Sequence, residues 1–434
     1  MDFKNTIINN NNNNKRDIMK ICVIGQGYIG IPTAALFASN GCDVVGVDIN
    51  EEIISNLNNG VMTIEEPKIN EIMNACLDNG TYHASLTPEE ADVYIITVPT
   101  PFKKEDLSCD LGFVISACKS ILPLIKKGDT IIVESTIAPL STETTIKGIF
   151  EDRGFNVGED IYLAHCPERV LPGNMVDELI HNNRIVGGIN KRSAKKAAEV
   201  YKIFVKGEVI ETEAKVAELS KCMENTYRDV NIALANELAK IGSKLGINIL
   251  DVIKIANKHP RVNILSPGPG VGGHCLAIDP YFIYSLIPET AKIIKLARDT
   301  NRSMPDFVVE NVRKILKNED NPIISVFGVA YKGNSDDDRE SPSYEIINNL
   351  KEDYTLKIYD PHIEKIDLSF DEAIKDSSLI LVLTNHDEFM HMDFDKIKQE
   401  MKKPVIFDTR NIIDKHSIPD DIILYNFGNL YDVE

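Results

Sequence analysis

Residues 19–48 read MKICVIGQGYIGIPTAALFASNGCDVVGVD, and this stretch decides the fold. Lys20–Gly25 is a short apolar run rich in β-branched residues. Gly25, Gly27 and Gly30 then form G-x-G-x-x-G, and an alanine-rich apolar segment follows to Asn40. The order is strand, glycine turn, helix. Asp43–Asp48 is a second short apolar run that ends on an acid. A glycine pattern alone is weak. Set between strand and helix, with Asp48 closing the next strand, it specifies a dinucleotide site. The first glycine makes the tight turn. The second lets a pyrophosphate approach the helix N-terminus, where amides and dipole favour anions. Asp48 would accept hydrogen bonds from a ribose and repel a 2′-phosphate, which favours NAD over NADP. Tyr28 and Ile29 complete the turn.

Outward from this stretch, strands are expected at Val93–Val98 and Thr130–Glu134, with helical segments between. Alternating β and α elements imply a parallel doubly wound sheet. Thr100 and Thr136 follow the two strands at the edge where cofactors bind in such folds, so both are expected NAD contacts. From about Glu211 to Leu245 the pattern becomes one long helix, with shorter helices after it. Strands return at Ile323–Val329, Leu356–Tyr359, Leu379–Leu383 and Pro404–Asp408. The two ends form a weak internal repeat: VIGQGYIG matches VFGVAYKG, and VVGVD matches LKIYD. The second copy lacks the full glycine fingerprint and is expected to hold a different ligand. The fold class is α/β: two Rossmann-like doubly wound domains joined by a long central helix and a helical middle domain. The expected bounds are 19–210, 211–302 and 303–434, preceded by a disordered tail, 1–18, with six consecutive asparagines.

Composition narrows the function. The 434 residues carry a formal charge of −19, which argues against nucleic acid or an anionic membrane as partner. No apolar run approaches the length of a membrane span. The eight cysteines are scattered and lack C-x-x-C spacing, so no structural metal or disulfide framework is expected, and a reducing cytoplasm fits.

The chemistry gathers in Pro267-Gly-Pro-Gly-Val-Gly-Gly-His-Cys-Leu-Ala-Ile-Asp-Pro280. Cys275 sits on a glycine-rich loop that lets a ligand approach closely, with Asp279 four residues on. A thiol there is a candidate nucleophile. On the long helix, Lys221 and Asn225 share a face and Arg228 lies nearly on it, with Glu218 and Asn236 extending the stripe. Glu168 and Arg169, in PERVLPG, emerge at a strand's end. His259-Pro-Arg261 is a basic loop. Tyr331-Lys332 and Asp338-Arg339-Glu-Ser-Pro342 flank a helix start and suit a diphosphate. Each feature also has a plainer reading: an inert thiol, a solvated helix face, an exposed charged loop.

Together these segments resemble the UDP-glucose/GDP-mannose dehydrogenase superfamily, the UDP-sugar 6-dehydrogenases, from Met19 to the C-terminus. Its most specific parts are the glycine–cysteine–aspartate loop, the long helix with Lys221 and Asn225, and YKGNSDDDRESPS at 331–343. CPERVLPG and GGHCLAIDP look like the branch acting on UDP-N-acetylhexosamines. The resemblance implies oxidation of a sugar C6 alcohol to a carboxylate with two NAD+. The implied substrate is UDP-N-acetyl-D-mannosamine, with UDP-N-acetylglucosamine, then UDP-glucose, as alternatives. It implies that Lys221 assists removal of the hydroxyl proton, that Cys275 forms a thiohemiacetal and then a thioester, and that Glu168, Thr136 and Asp279 support them. Arg169, Val170, Asn225, Arg228, His259, Arg261, Gly272, Tyr331, Lys332 and Arg410 would contact the sugar nucleotide, and Arg339 the NAD. It also implies a homodimer built on the long helix. Two other readings stay open: a hydroxyacid-type dehydrogenase without a cysteine, and a non-catalytic NAD-binding regulator.

Overall fold

The computed structural model describes residues 18–64, 66–170 and 173–433. Residues 1–17 of the expected tail lie outside them. The first sheet holds eight strands: β1 (Lys20–Ile24), β2 (Asp43–Val47), β3 (Tyr82–Ser85), β4 (Val93–Ile96), β5 (Thr130–Val133), β6 (Tyr162–His165), β7 (Arg184–Gly188) and β8 (Val209–Glu213). Their order is β3-β2-β1-β4-β5-β6-β7-β8. The second sheet holds β9 (Ile323–Phe327), β10 (Thr355–Tyr359), β11 (Leu379–Val382), β12 (Val405–Asp408) and β13 (Ile423–Asn426), in the order β10-β9-β11-β12-β13. Both sheets are parallel and doubly wound, as the sequence implies, except that β7 runs antiparallel to β6. The order reverses at β1/β4 in one sheet and at β9/β11 in the other. Those are the switch points where ligands bind in such folds.

The central strands are buried on both faces. In β1, Ile21 and Val23 enter one core while Cys22 and Ile24 enter another. In β9, Ile324 and Val326 face one core and Phe327 the other. A parallel sheet covered on both sides needs such unbroken apolar runs.

Four strands escaped the sequence reading. YHAS of β3 and ILYN of β13 carry polar residues, and RIVGG of β7 ends in glycines. VIETE of β8 is an edge strand with a largely exposed pattern. It occupies Glu211–Glu213, where the helix was expected to begin, so the helix starts at Ala214 and runs to Leu245.

By its contacts the chain divides into two units, 1–101 with 110–221 and 102–109 with 222–434. The division falls within the long helix. That helix is amphipathic in an inverted sense. Glu218, Asn225, Asp229 and Asn236 are buried on one face, and each has a hydrogen-bonded partner. Val216, Met223, Tyr227, Leu234, Ile241 and Leu245 recur every four or seven residues on the opposite, exposed face. Among the described residues no helix is long and apolar enough to cross a membrane.

Candidate active site

In the first unit, the turn after β1 is built for an anion. Gly25 takes φ +100°, and a Cβ there would lie 2.9 Å from the Thr97 carbonyl carbon. Its amide donates to Val47 O at 2.7 Å, while Thr97 Oγ1 donates to Gly25 O at 2.7 Å. Helix Gly30–Ser39 begins with no side-chain cap and no acid in its first turn. The space beside Gly27 is open. Uncapped amides facing open space fit a dinucleotide pyrophosphate. The Asp48 carboxylate accepts from the amides of Gln26 (2.9 Å) and Asn50 (3.0 Å), which fixes it at the end of β2 with lone pairs left for ribose hydroxyls. Thr100 and Thr136 come together, the Thr100 hydroxyl donating to Thr136 O at 2.5 Å.

A buried charge cluster lies at the ends of β5 and β6 and the start of β7. Glu168 accepts the Arg169 amide on Oε1 (2.6 Å) and Arg184 Nη1 on Oε2. Arg184 Nη2 also donates to Glu134 at 2.5 Å, and Glu134 receives the Tyr201 hydroxyl at 2.5 Å and the Thr33 hydroxyl at 3.3 Å. Burial opposes the Arg184 charge, but Glu168 and Glu134 outweigh it and hold the guanidinium protonated. Burial pushes the Glu134 carboxyl up against the pull of Arg184. Breaking such a buried pair from one side costs about 3–5 kcal/mol. Beside the cluster, burial, with Lys221 and Arg184 adding to it, pushes His165 down to about 3, so the imidazole is neutral. Its ring nitrogens make no hydrogen bond of good geometry. Lys221 is half-buried at the first unit's end of the long helix, Arg169 is exposed, and Val170 packs against the core. Arg184, Glu134 and His165 were not singled out from sequence. Arg184 opens an unremarkable strand, and the partners that give it meaning lie far off in the chain.

In the second unit, Cys275 is exposed. Its carbonyl accepts the amides of Ile278 (3.1 Å) and Asp279 (2.9 Å), which turns the chain into helix Asp279–Tyr284. Asp279 is buried and accepts Asn225 Nδ2 at 2.6 Å. The loop packs so closely that a Cβ on Gly272 would lie 2.6 Å from Glu340 O, and one on Gly273 2.8 Å from the Tyr331 ring. The structure thus brings Asn225, Gly272, Tyr331 and Asp279 around the cysteine loop. At the ends of β11 and β12, Arg410 donates to Asn385 at 3.0 Å, and Asn385 also accepts the Gly333 amide at 3.1 Å, next to Lys332. Asn385 too was missed. Arg228, Lys332, His259 and Arg261 are exposed. Arg339 pairs with Asp337 through Nε (2.8 Å) and Nη2 (2.7 Å).

The repeat between the halves extends to atoms. Gly328 takes φ +92°, its amide donates to Tyr359 O at 2.8 Å, and a Cβ on it would lie 2.4 Å from Thr384 Cβ. Asp360 stands where Asp48 does, but its carboxylate is buried and accepts the amides of Val329, Ala330 and His362 and His386 Nε2. Buried and already taken up by the turn and His386, this carboxylate is not presented to a ribose as Asp48 is. His386, His362 and Glu388 also approach one another closely enough to suggest a metal. The Asn334 amide donates to His386 Nδ1 at 2.9 Å, so Nε2 carries the ring proton and has no lone pair to offer.

Family models describing the UDP-glucose/GDP-mannose dehydrogenase family match in all three of its parts: the NAD binding domain at 19–205, the central domain at 215–303 and the UDP binding domain at 325–415. The chain belongs to this family. The dehydrogenase is 50% identical to the UDP-N-acetyl-D-mannosamine dehydrogenase of Methanococcus maripaludis, over 93% of this chain and 95% of that one. Among solved structures it resembles the UDP-N-acetyl-mannosamine dehydrogenase Cap5O of Staphylococcus aureus, with 51% identity and a TM-score of 0.87 over 95% of this chain and 99% of that one. It also resembles the UDP-D-ManNAc dehydrogenase of Pyrococcus horikoshii, with 38% identity and a TM-score of 0.89 over 95% and 100%. This dehydrogenase therefore uses NAD to oxidise a UDP-sugar.

Proposed function

We propose that this dehydrogenase oxidises C6 of UDP-N-acetyl-D-mannosamine to the uronate, consuming two NAD+ and one water. The observation that carries this reading is the full-length identity of about half to enzymes named for that sugar, in Methanococcus and Staphylococcus alike. We take 19–210 as the NAD half, 211–302 as the central helical part and 303–434 as the UDP-sugar half, near the family-model bounds.

Gly25, Gly27, Tyr28, Ile29, Gly30, Asp48, Thr100, Thr136 and Arg339 would hold the NAD. Bound NAD+ supplies the hydride acceptor for each of the two oxidations. Lys221 takes or relays the proton of the C6 hydroxyl as the alcohol becomes an aldehyde. Cys275 Sγ then adds to the aldehyde carbon, giving a tetrahedral thiohemiacetal that can lose a second hydride. The resulting thioester is cleaved by water, which frees the thiol and the carboxylate. Glu168 and Asp279, the latter oriented by Asn225, position the reacting groups and the water. Arg169, Val170, Arg228, His259, Arg261, Gly272, Tyr331, Lys332 and Arg410 would bind the sugar nucleotide.

The assay is stoichiometric. UDP-N-acetyl-D-mannosamine should give two NADH per sugar and outpace UDP-N-acetylglucosamine and UDP-glucose. Cys275→Ser should lose turnover to the uronate. One NADH with accumulated aldehyde, or undiminished uronate from that variant, would remove the thioester route.

The exposed apolar face of the long helix supports a further part of this reading: two copies pair through it as a homodimer. No disulfide links the eight cysteines among the described residues, which fits a cytoplasmic enzyme.

A further inference from the structure

Glu168 carries a supporting role in the proposed reaction, and the structure shows what holds it. Both of its oxygens are engaged, one by the next amide in the chain and one by Arg184. The backbone contact is local and cannot by itself fix the rotamer of a carboxylate at the end of a strand. Arg184 comes from β7 and approaches from across the sheet. It is in turn fixed by two further groups that are tied to each other. Glu134 takes its second Nη, the Tyr201 ring lies 4.3 Å from its guanidinium carbon, and Tyr201 itself is tied to Glu134. Glu134 is further held by Thr33, one turn into the helix that follows the dinucleotide fingerprint. The exposures agree: Glu134, Arg184 and Tyr201 are all buried, while Glu168 alone reaches the edge of accessibility, at 9%. Three parts of the cluster are deeply buried scaffold, and Glu168 is the most accessible of the four.

We propose that Arg184 is a positioning residue that aims the Glu168 carboxylate, and that Glu134 is its anchor. The inference rests on the role given to Glu168 above.

Two carboxylates share one guanidinium. The other titratable groups around them are the neutral His165 at the end of β6 and the Cys166 thiol after it, the Tyr201 phenol on helix Lys191–Tyr201, and Lys221 on the long helix. Burial keeps the Cys166 thiol and the Tyr201 phenol protonated. Arg184 therefore divides its fork of donors between Glu168 and Glu134. Removing Arg184 takes away the side-chain tie that aims Glu168. A lysine in its place keeps the charge but offers one point of contact instead of a fork.

The test is the split between kcat and KM in three variants, with NAD affinity as the check on folding. Arg184→Met should lower kcat at least about tenfold and leave KM for the sugar nucleotide and NAD affinity near wild type. Glu134→Gln, nearly isosteric and still able to accept from Arg184 and Tyr201, should lower kcat less. Arg184→Lys should recover part of the loss. A merely structural role would lower NAD affinity and kcat together. If Arg184→Met does not fold, Arg184→Lys and Glu134→Gln decide the question by the same split. Glu168→Gln separates the two readings. Full activity in that variant would overturn the role of Glu168. An inactive Glu168→Gln beside Arg184 and Glu134 variants with wild-type kcat would overturn the positioning role alone.

Discussion

Gly25 and Gly328 face the same steric demand in two sheets. Each follows a first strand at positive φ, and each leaves no room for a Cβ against a threonine from the neighbouring strand's end, Thr97 or Thr384. The acids that follow them have diverged. Asp48 keeps free lone pairs, whereas Asp360 is buried and committed to the turn and to His386. An alanine at either position should cost about 1–3 kcal/mol of stability through backbone strain. The consequences for ligands should differ. Gly25→Ala should weaken NAD binding at least about tenfold, a loss of roughly 1.4 kcal/mol, while Gly328→Ala leaves NAD affinity unchanged. Calorimetric titration of both variants with NAD checks this, and equal losses would contradict the division of labour. The fingerprint was legible because one short segment contains the whole device. The Arg184 cluster was not, since its meaning lies in four strand and helix ends that meet only in the fold.

Among the elements, the long helix was recognisable by its periodicity, but its polarity was open to two readings. A stripe of Glu218, Asn225 and Asn236 reads equally as a solvated face or a pocket wall. The structure buries it, and each polar group finds a specific partner. The start of the helix was misplaced because VIETE lacks the apolar alternation of a strand; an edge strand with one neighbour needs little of it. Glu218 anchors the first turns to the loop at Leu140–Thr142. Its oxygens accept the amides of Leu140 (2.6 Å) and Thr142 (2.8 Å) and the Thr142 hydroxyl (2.6 Å). Burial nevertheless pushes its carboxyl up to about 7. The folded state thus binds this proton more tightly than the unfolded chain. The corresponding stability is fully present below about pH 4.5 and is lost as pH rises through 7, by at most roughly 3 kcal/mol. Denaturant unfolding at pH 5 and pH 8 should therefore show a larger loss in the wild type than in Glu218→Gln. Equal losses would mean that Glu218 does not titrate in this range.

At the scale of the whole molecule, the helix presents a problem that one copy of the chain leaves open. A helix normally turns its apolar stripe inward. Here Val216, Met223, Tyr227, Leu234, Ile241 and Leu245 face outward along 32 residues. That is a strip about 48 Å long and roughly 10 Å wide. The same strip on a second copy is self-complementary under a two-fold axis. It offers on the order of 500 Å² per copy, short of the roughly 800 Å² a stable interface buries, so neighbouring elements must contribute as well. Charges in the strip should then separate the copies without unfolding them, because exposed positions tolerate substitution within about 0.5 kcal/mol. The wild type is expected to sediment as a dimer, and Tyr227→Glu combined with Leu234→Glu as a monomer at the same concentration, with little change in Tm. A wild type that is monomeric at micromolar concentration would rule out the pairing. A double variant that remains dimeric would move the interface to another face.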